Sequence, residues 1–80
     1  MKREELESFL LANGWTRDSF GHFHKGEYRM KMQDKSVRYE RGYHTEATQY
    51  SKAEKRWMRI RSGYYGKLSI VDGKIAGLTP

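Results

Sequence analysis

Apolar and basic residues alternate most clearly from Tyr28 to Tyr39, YRMKMQDKSVRY, on both sides of a short polar stretch. A period of two sends successive strand side chains to opposite faces. Tyr28, Met30, Met32, Val37 and Tyr39 therefore share one face of a two-stranded ribbon, and Arg29, Lys31 and Arg38 share the other. Gln33-Asp34-Lys35-Ser36 has the polar chemistry of a tight reversal between the two strands. Trp57-Met58-Arg59-Ile60-Arg61 repeats the pattern, which predicts Met58 and Ile60 inward and Trp57, Arg59 and Arg61 outward. The expected sheet has one buried face and one basic face.

The pattern changes period on either side of this ribbon. Leu6, Phe9, Leu10 and Asn13 follow the i, i+3, i+4, i+7 spacing of a helix from Glu4 to Asn13, with Glu4 and Glu5 in the first turn, where the helix dipole favours acids. Gly14 is placed to close that helix in the left-handed conformation, which would fold Trp15 back onto the apolar stripe. Asp18 to Gly21 reads as a turn and His22 to Lys25 as a strand, with Phe23 opposite the two histidines. Gly26 and Glu27 then reverse the chain into Tyr28.

Residues 42–55 are polar and lack clear periodicity, so they read as a long loop or one short helix, for which Ser51-Lys52-Ala53-Glu54 offers a capping box. Ser62 to Gly66 reads as a glycine-flanked turn. Leu68 to Leu78 reads as a closing hairpin around Asp72-Gly73, a type I′ signal. The fold class these elements imply is α+β: a single domain over residues 1–80, its N-terminal helix packed on one face of a four- to six-stranded antiparallel sheet. The expected core is Leu6, Phe9, Leu10, Phe23, Met30, Met32, Val37, Tyr39, Met58, Ile60, Leu68 and Ile70.

Composition sharpens this picture in three respects. Eighty residues bury only about 60% of the surface of the unfolded chain, and only 36% are hydrophobic, so aromatic side chains must supply much of the core area. The chain has no cysteine, which excludes disulfides and thiolate metal sites, and no apolar run near the roughly 18 residues of a membrane helix. A cytoplasmic protein with no membrane partner and no cofactor is the expectation. The formal net charge is +6, and the first fifteen residues hold more acids than bases, so the surplus lies in the rest of the chain. Such a surplus favours a polyanion, because each neutralised phosphate releases counterions.

Three constellations could carry chemistry. The basic face, with Arg29, Lys31, Arg38, Arg59 and Arg61 around Trp57, offers cations for phosphates and flat rings for bases, as RNA or single-stranded DNA requires. Gly63-Tyr64-Tyr65-Gly66-Lys67 adds two rings and a cation, so Tyr64, Tyr65 and Lys67 join the candidate nucleic-acid-binding set; the alternative for this turn is that one tyrosine anchors it in the core while the other is exposed. His22 and His24 are the alternative catalytic candidates, since imidazoles act as acid and base in RNA cleavage. They could also share a metal only with a third ligand that the sequence does not supply, so no metal site is assigned. No nucleophile elbow or triad pattern occurs, so the case for an enzyme rests on histidines alone.

Glu5 to Trp15, a helix closed by Asn-Gly-Trp, followed by Gly21-His22, resembles the opening of HicA-type toxins, small ribonucleases of double-stranded-RNA-binding-domain-like fold. That resemblance implies His22 as a catalytic residue. Arg29–Glu40 and Trp57–Ile70 look like segments of small proteins encoded by bacteriophages and prophages. This second likeness implies a host-cytoplasm protein that binds a nucleic acid, a nucleotide signal or a host protein. The leading expectation is a non-catalytic binder of RNA, single-stranded DNA or another phosphate-bearing ligand. The alternatives are an inhibitor or assembly protein that docks on a host protein, using Trp, Tyr and Arg as an interface, and a ribonuclease using His22.

Overall fold

The computed structural model describes all eighty residues. It contains one helix, α1 (Arg3–Ala12), and seven strands: β1 (Thr16–Arg17), β2 (Phe23–Lys25), β3 (Tyr28–Met32), β4 (Ser36–His44), β5 (Lys55–Tyr64), β6 (Ser69–Val71) and β7 (Lys74–Ala76). A 3-10 turn, Tyr65–Lys67, links β5 to β6. The first five strands form an antiparallel meander in the order β1-β2-β3-β4-β5, and β6 pairs with β7 as a separate two-stranded sheet. The fold is α+β, as the periodicities predict.

Helix α1 ends as its sequence dictates. Gly14 takes φ +85°, and the Trp15 N–H donates back to the Leu10 carbonyl at 3.0 Å, the long bond that closes a Schellman motif. Trp15 consequently packs against the core beside Phe9. Leu6 and Leu10 are fully buried with Phe23, Met30, Met32, Val37 and Tyr39, so the alternation from Tyr28 to Tyr39 fills one side of the sheet. Asp72 and Gly73 both adopt positive φ, which makes their reversal the type I′ turn expected of Asp-Gly.

The structure departs from the sequence expectation in several places. Residues 62–64, expected in a glycine-flanked turn, extend β5, and the turn is the 3-10 segment Tyr65–Lys67. Residues 42–44 continue β4 and Lys55 starts β5, so the loop is shorter at both ends. No helix forms in it, because Thr45 and Glu54 pair across the hairpin (Thr45 N–H to Glu54 O, 2.8 Å) and hold Ser51–Glu54 out of helical geometry. Met58 and Ile60 are not core residues: they are 58% and 45% exposed, Met58 because its partner Arg41 is the last residue that β3 pairs, at the base of the projecting hairpin, and Ile60 because it pairs with no residue of β4. Ile70 is also exposed, and Ile75 and Leu78 fill the core in its place.

Of the two adjacent tyrosines, Tyr65 is the core anchor and not a ring of the binding surface, whereas Tyr64 is exposed. Its hydroxyl donates to the Gln33 carbonyl at 2.6 Å, and its N–H donates to the Lys35 carbonyl at 3.1 Å. These bonds tie the end of β5 to the β3–β4 turn, and burial pushes the phenol pKa up. Removing a buried hydroxyl whose carbonyl partner also receives Arg3 Nη1 at 3.3 Å leaves that partner partly satisfied. Tyr65→Phe is therefore expected to cost about 1 kcal/mol in urea unfolding, with the m value unchanged.

Candidate functional site

Register across the meander decides which side chains meet on the face opposite α1. Thr16, His24, Arg29, Glu40 and Arg59 are successive cross-strand partners and form one row over all five strands. Lys31, Arg38 and Ser62 form the next row, while Gly42 pairs with Trp57 and Ser36 with Tyr64. The core residues all lie on the other side, under α1 and the β6–β7 hairpin. The open face is thus basic, as its alternation predicts, and it gathers Arg29, Lys31, Arg38, Trp57 and Arg59 together with Tyr64.

Arg61 does not join them. The register shifts between Tyr39, which pairs with Arg61, and Glu40, which pairs with Arg59, leaving Ile60 as the extra residue of a β-bulge. The bulge reverses the phase of β5, so Arg61 falls on the Tyr39 side of the sheet. Strict alternation, on which the outward placement of Arg61 rests, cannot register such an insertion. Lys67 lies beyond the sheet in the 3-10 turn, with its ammonium 5.9 Å from the Tyr64 ring.

Glu40 organises the centre of the face. It is the only buried charged residue, at 2% exposure, and its Oε1 accepts from Arg29 Nε at 2.9 Å and lies 2.8 Å from Arg29 Nη2. Arg38 Nη2 stands 3.8 Å from the other carboxylate oxygen. The Arg29 guanidinium also lies 4.3 Å over the Trp57 ring, and Lys55 Nζ lies 4.5 Å from it. Trp57 can lie this way because Gly42 is opposite: a Cβ at Gly42 would sit 3.0 Å from Trp57 Cζ3 and 2.7 Å from Lys55 Cε. Trp57 and Arg29 are therefore occupied with each other, and Lys31 and Arg59, which make no ion pair, are the cations left free.

The histidines have distinct surroundings. His22 Nδ1 accepts the Met32 N–H at 2.9 Å, so this ring nitrogen carries no proton and serves as a backbone cap between β2 and β3. Burial pushes its pKa below the usual 6.5; Arg29 and Lys31 add to the shift, and Asp18 and Glu40 oppose it. His24 Nε2 lies 2.6 Å from Asp18 Oδ2, and its ring meets Trp57 edge-on at 5.6 Å. Asp18 Oδ1 accepts the N–H groups of Phe20 and His22 at 2.8 and 2.9 Å. Burial works against the charged carboxylate, but the bonds from His24 and these two N–H groups hold Asp18 at about 2. No three His, Asp or Glu side chains converge as a metal-ligand set.

Sequence reasoning missed Glu40, Gly42, Asp18 and Ser62 as parts of this face. Glu40 and Gly42 had a signal, since they extend the Ser36–Arg38 alternation by two further steps. Ser62 had none, because only the bulge brings it to the same side as Arg59. No protein-family model, curated protein or solved structure matches the chain.

Two outcomes follow from this geometry. In a Trp15→Phe background, Gly42→Val should lift the Trp57 indole from the face, which acrylamide quenching and a red shift of its emission would report. The gain in strand propensity of up to about 1 kcal/mol should be outweighed by overpacking of about 1–3 kcal/mol. For His22, the folded-state pKa lies below the unfolded one, so the unfolded chain binds the proton more readily. Its contribution is fully present above the unfolded value near 6.5 and is lost as pH falls toward the folded value. His22→Asn, whose carbonyl oxygen accepts the same N–H without titrating, should flatten the pH dependence of thermal unfolding below pH about 6.5.

Proposed function

We propose that the protein is a non-catalytic binder of a phosphate-bearing polymer, RNA or single-stranded DNA, which lies along the open face of the five-stranded sheet. The observation that supports this reading is the charge balance of that face. Arg29, Lys31, Arg38, Lys55 and Arg59 rise from β3, β4 and β5, against two acids, Glu40, matched by Arg29, and Asp18, held by His24 toward the β1 edge. A face with this surplus of cations and no second layer over it suits a flexible, sequence-tolerant phosphate backbone.

The roles differ from residue to residue. Lys31, Arg38 and Arg59 contact phosphates. Arg29 is held by Glu40 and Trp57 and orders the face. Tyr64, 61% exposed, is the ring best placed to stack on a base, whereas Trp57 already carries two cations. Along the projecting β4–β5 hairpin the open face continues with His44 and Lys55, whereas Arg41 and Arg56 fall on the Tyr39 side, paired with Glu27 and Glu54.

Titration of short RNA and single-stranded DNA at two salt concentrations tests the proposal. Affinity should fall steeply as salt rises, and Lys31→Ala and Arg59→Ala should each lower the slope of log K against log salt by about 0.7, the value for one single-strand phosphate contact. Absence of binding to either polymer at low salt would refute it.

A further inference from the structure

We infer that the cleft between Arg38 and Arg59 is a receptor for a phosphomonoester, the terminal phosphate of a nucleotide chain, with the adjoining base stacked on Tyr64. The inference rests on the polyanion-binding reading of the same face and names the chemical group for which that face has a dedicated pocket.

The cleft has a volume of about 370 Å³ and is lined by Gln33, Ser36, Arg38, Arg59, Ser62 and Tyr64. Its two cations and two hydroxyls come from β4 and β5, where Arg38 is opposite Ser62 and Ser36 is opposite Tyr64. On a regular strand, residues 59 and 62 would point to opposite faces. The extra residue at Ile60 brings Arg59 and Ser62 to the same side, so the bulge itself assembles the pocket.

Three features of the pocket call for a strongly charged acceptor. Arg38 Nε is buried without a hydrogen-bond partner, and it is the only such side-chain atom in the protein. Arg38 Nη2 stands 3.8 Å from Glu40, beyond hydrogen-bond distance, and Glu40 directs its closer oxygen at Arg29. Arg38 and Arg59 therefore present two positive charges with only the far oxygen of one carboxylate between them. A monoester near neutral pH carries a charge of about −1.5 to −2, whereas an internal diester carries one negative charge, so the monoester is the better match.

The surroundings of the cleft select a chain end. The Gln33–Ser36 turn, closed by the Gln33 N–H to Ser36 O bond at 2.9 Å and by Ser36 Oγ donating to Gln33 Oε1 at 3.0 Å, walls one side. Gly63 and Tyr64 wall the other, with Lys67 Nζ 5.9 Å from the Tyr64 ring. The open face itself ends at this cleft, where β3 ends at Met32, β4 begins at Ser36 and β5 ends at Tyr64, so a strand that follows the face has its end here. The ring is the platform for its last base.

The test compares three otherwise identical short oligonucleotides, with a 5′-phosphate, a 3′-phosphate or neither, by isothermal titration on the full chain, with a nucleoside monophosphate and inorganic phosphate as further arms. One terminal phosphate should tighten binding about tenfold, as charge-assisted hydrogen bonds to a partly buried arginine allow. Arg38→Lys keeps the charge but removes the Nε donor and the fork, so it should abolish the difference between the phosphorylated and unphosphorylated strands. Ser62→Ala, at an exposed position that does not endanger folding, should weaken the preference in the same direction.

Equal affinity for all three strands would overturn the pocket and leave the polyanion-binding face standing. Binding of the monophosphate without binding of the unphosphorylated strand would support the pocket and overturn the extended face. Inorganic phosphate binding as tightly as the nucleotide, with no effect of Tyr64→Ala, would overturn the nucleotide assignment.

Discussion

The pairing of Arg29 with Glu40 beneath Trp57 holds the exposed side of the sheet together. A carboxylate at 2% exposure is tolerated only because a guanidinium donates to it from the neighbouring strand, and that guanidinium is in turn held flat against an indole. Loss of either charged partner would leave the other desolvated, a cost of about 3–5 kcal/mol in comparable buried pairs. An apolar pair in the same place would avoid that cost, yet on a face without a second layer it would present an exposed hydrophobic patch. The ion pair gives the centre of the face order while keeping its surface polar.

This solution follows from the size and composition of the chain. With 36% hydrophobic residues in eighty, the apolar side chains suffice to cover one side of a five-stranded sheet, where α1 and the β6–β7 hairpin pack. The other side has to be stabilised by contacts between polar residues on neighbouring strands. Asp18, His24, Trp57, Arg29 and Glu40 form a continuous chain of such contacts from the β1–β2 loop to β5. Gly42 is part of the same device, because only a residue without Cβ lets the indole cross β4.

Much of this was legible in the residues, and the limit has a physical origin. The helix, its glycine stop, the core side of β3 and the type I′ turn all follow from local rules: periodicity, capping and the left-handed region. The cations of the open face followed from the same alternation. Tyr65 and Arg61 did not, because their places depend on non-local pairing. Tyr65 is buried by a hydrogen bond to Gln33, thirty-two positions earlier, and Arg61 is turned over by one inserted residue. The hairpin arm was hidden for a further reason: its side chains face solvent on both sides, so burial imposed no alternation on residues 42–44.

The bulge at Ile60 links architecture to chemistry. β5 is a ten-residue strand with no neighbour on its outer side, and an uninterrupted edge of that length invites pairing with another chain. An inserted residue breaks the ladder and twists the strand, and lysine and arginine along it add repulsion to self-pairing. The same insertion sets Arg59 and Ser62 beside Arg38 on the open face, where regular alternation would have separated them. Deleting Ile60 would leave every existing pair in place, with Arg59 opposite Glu40 and Arg61 opposite Tyr39, and give the edge a flat, continuous register. One residue thus both guards the edge strand and shapes the most cationic hollow of the molecule.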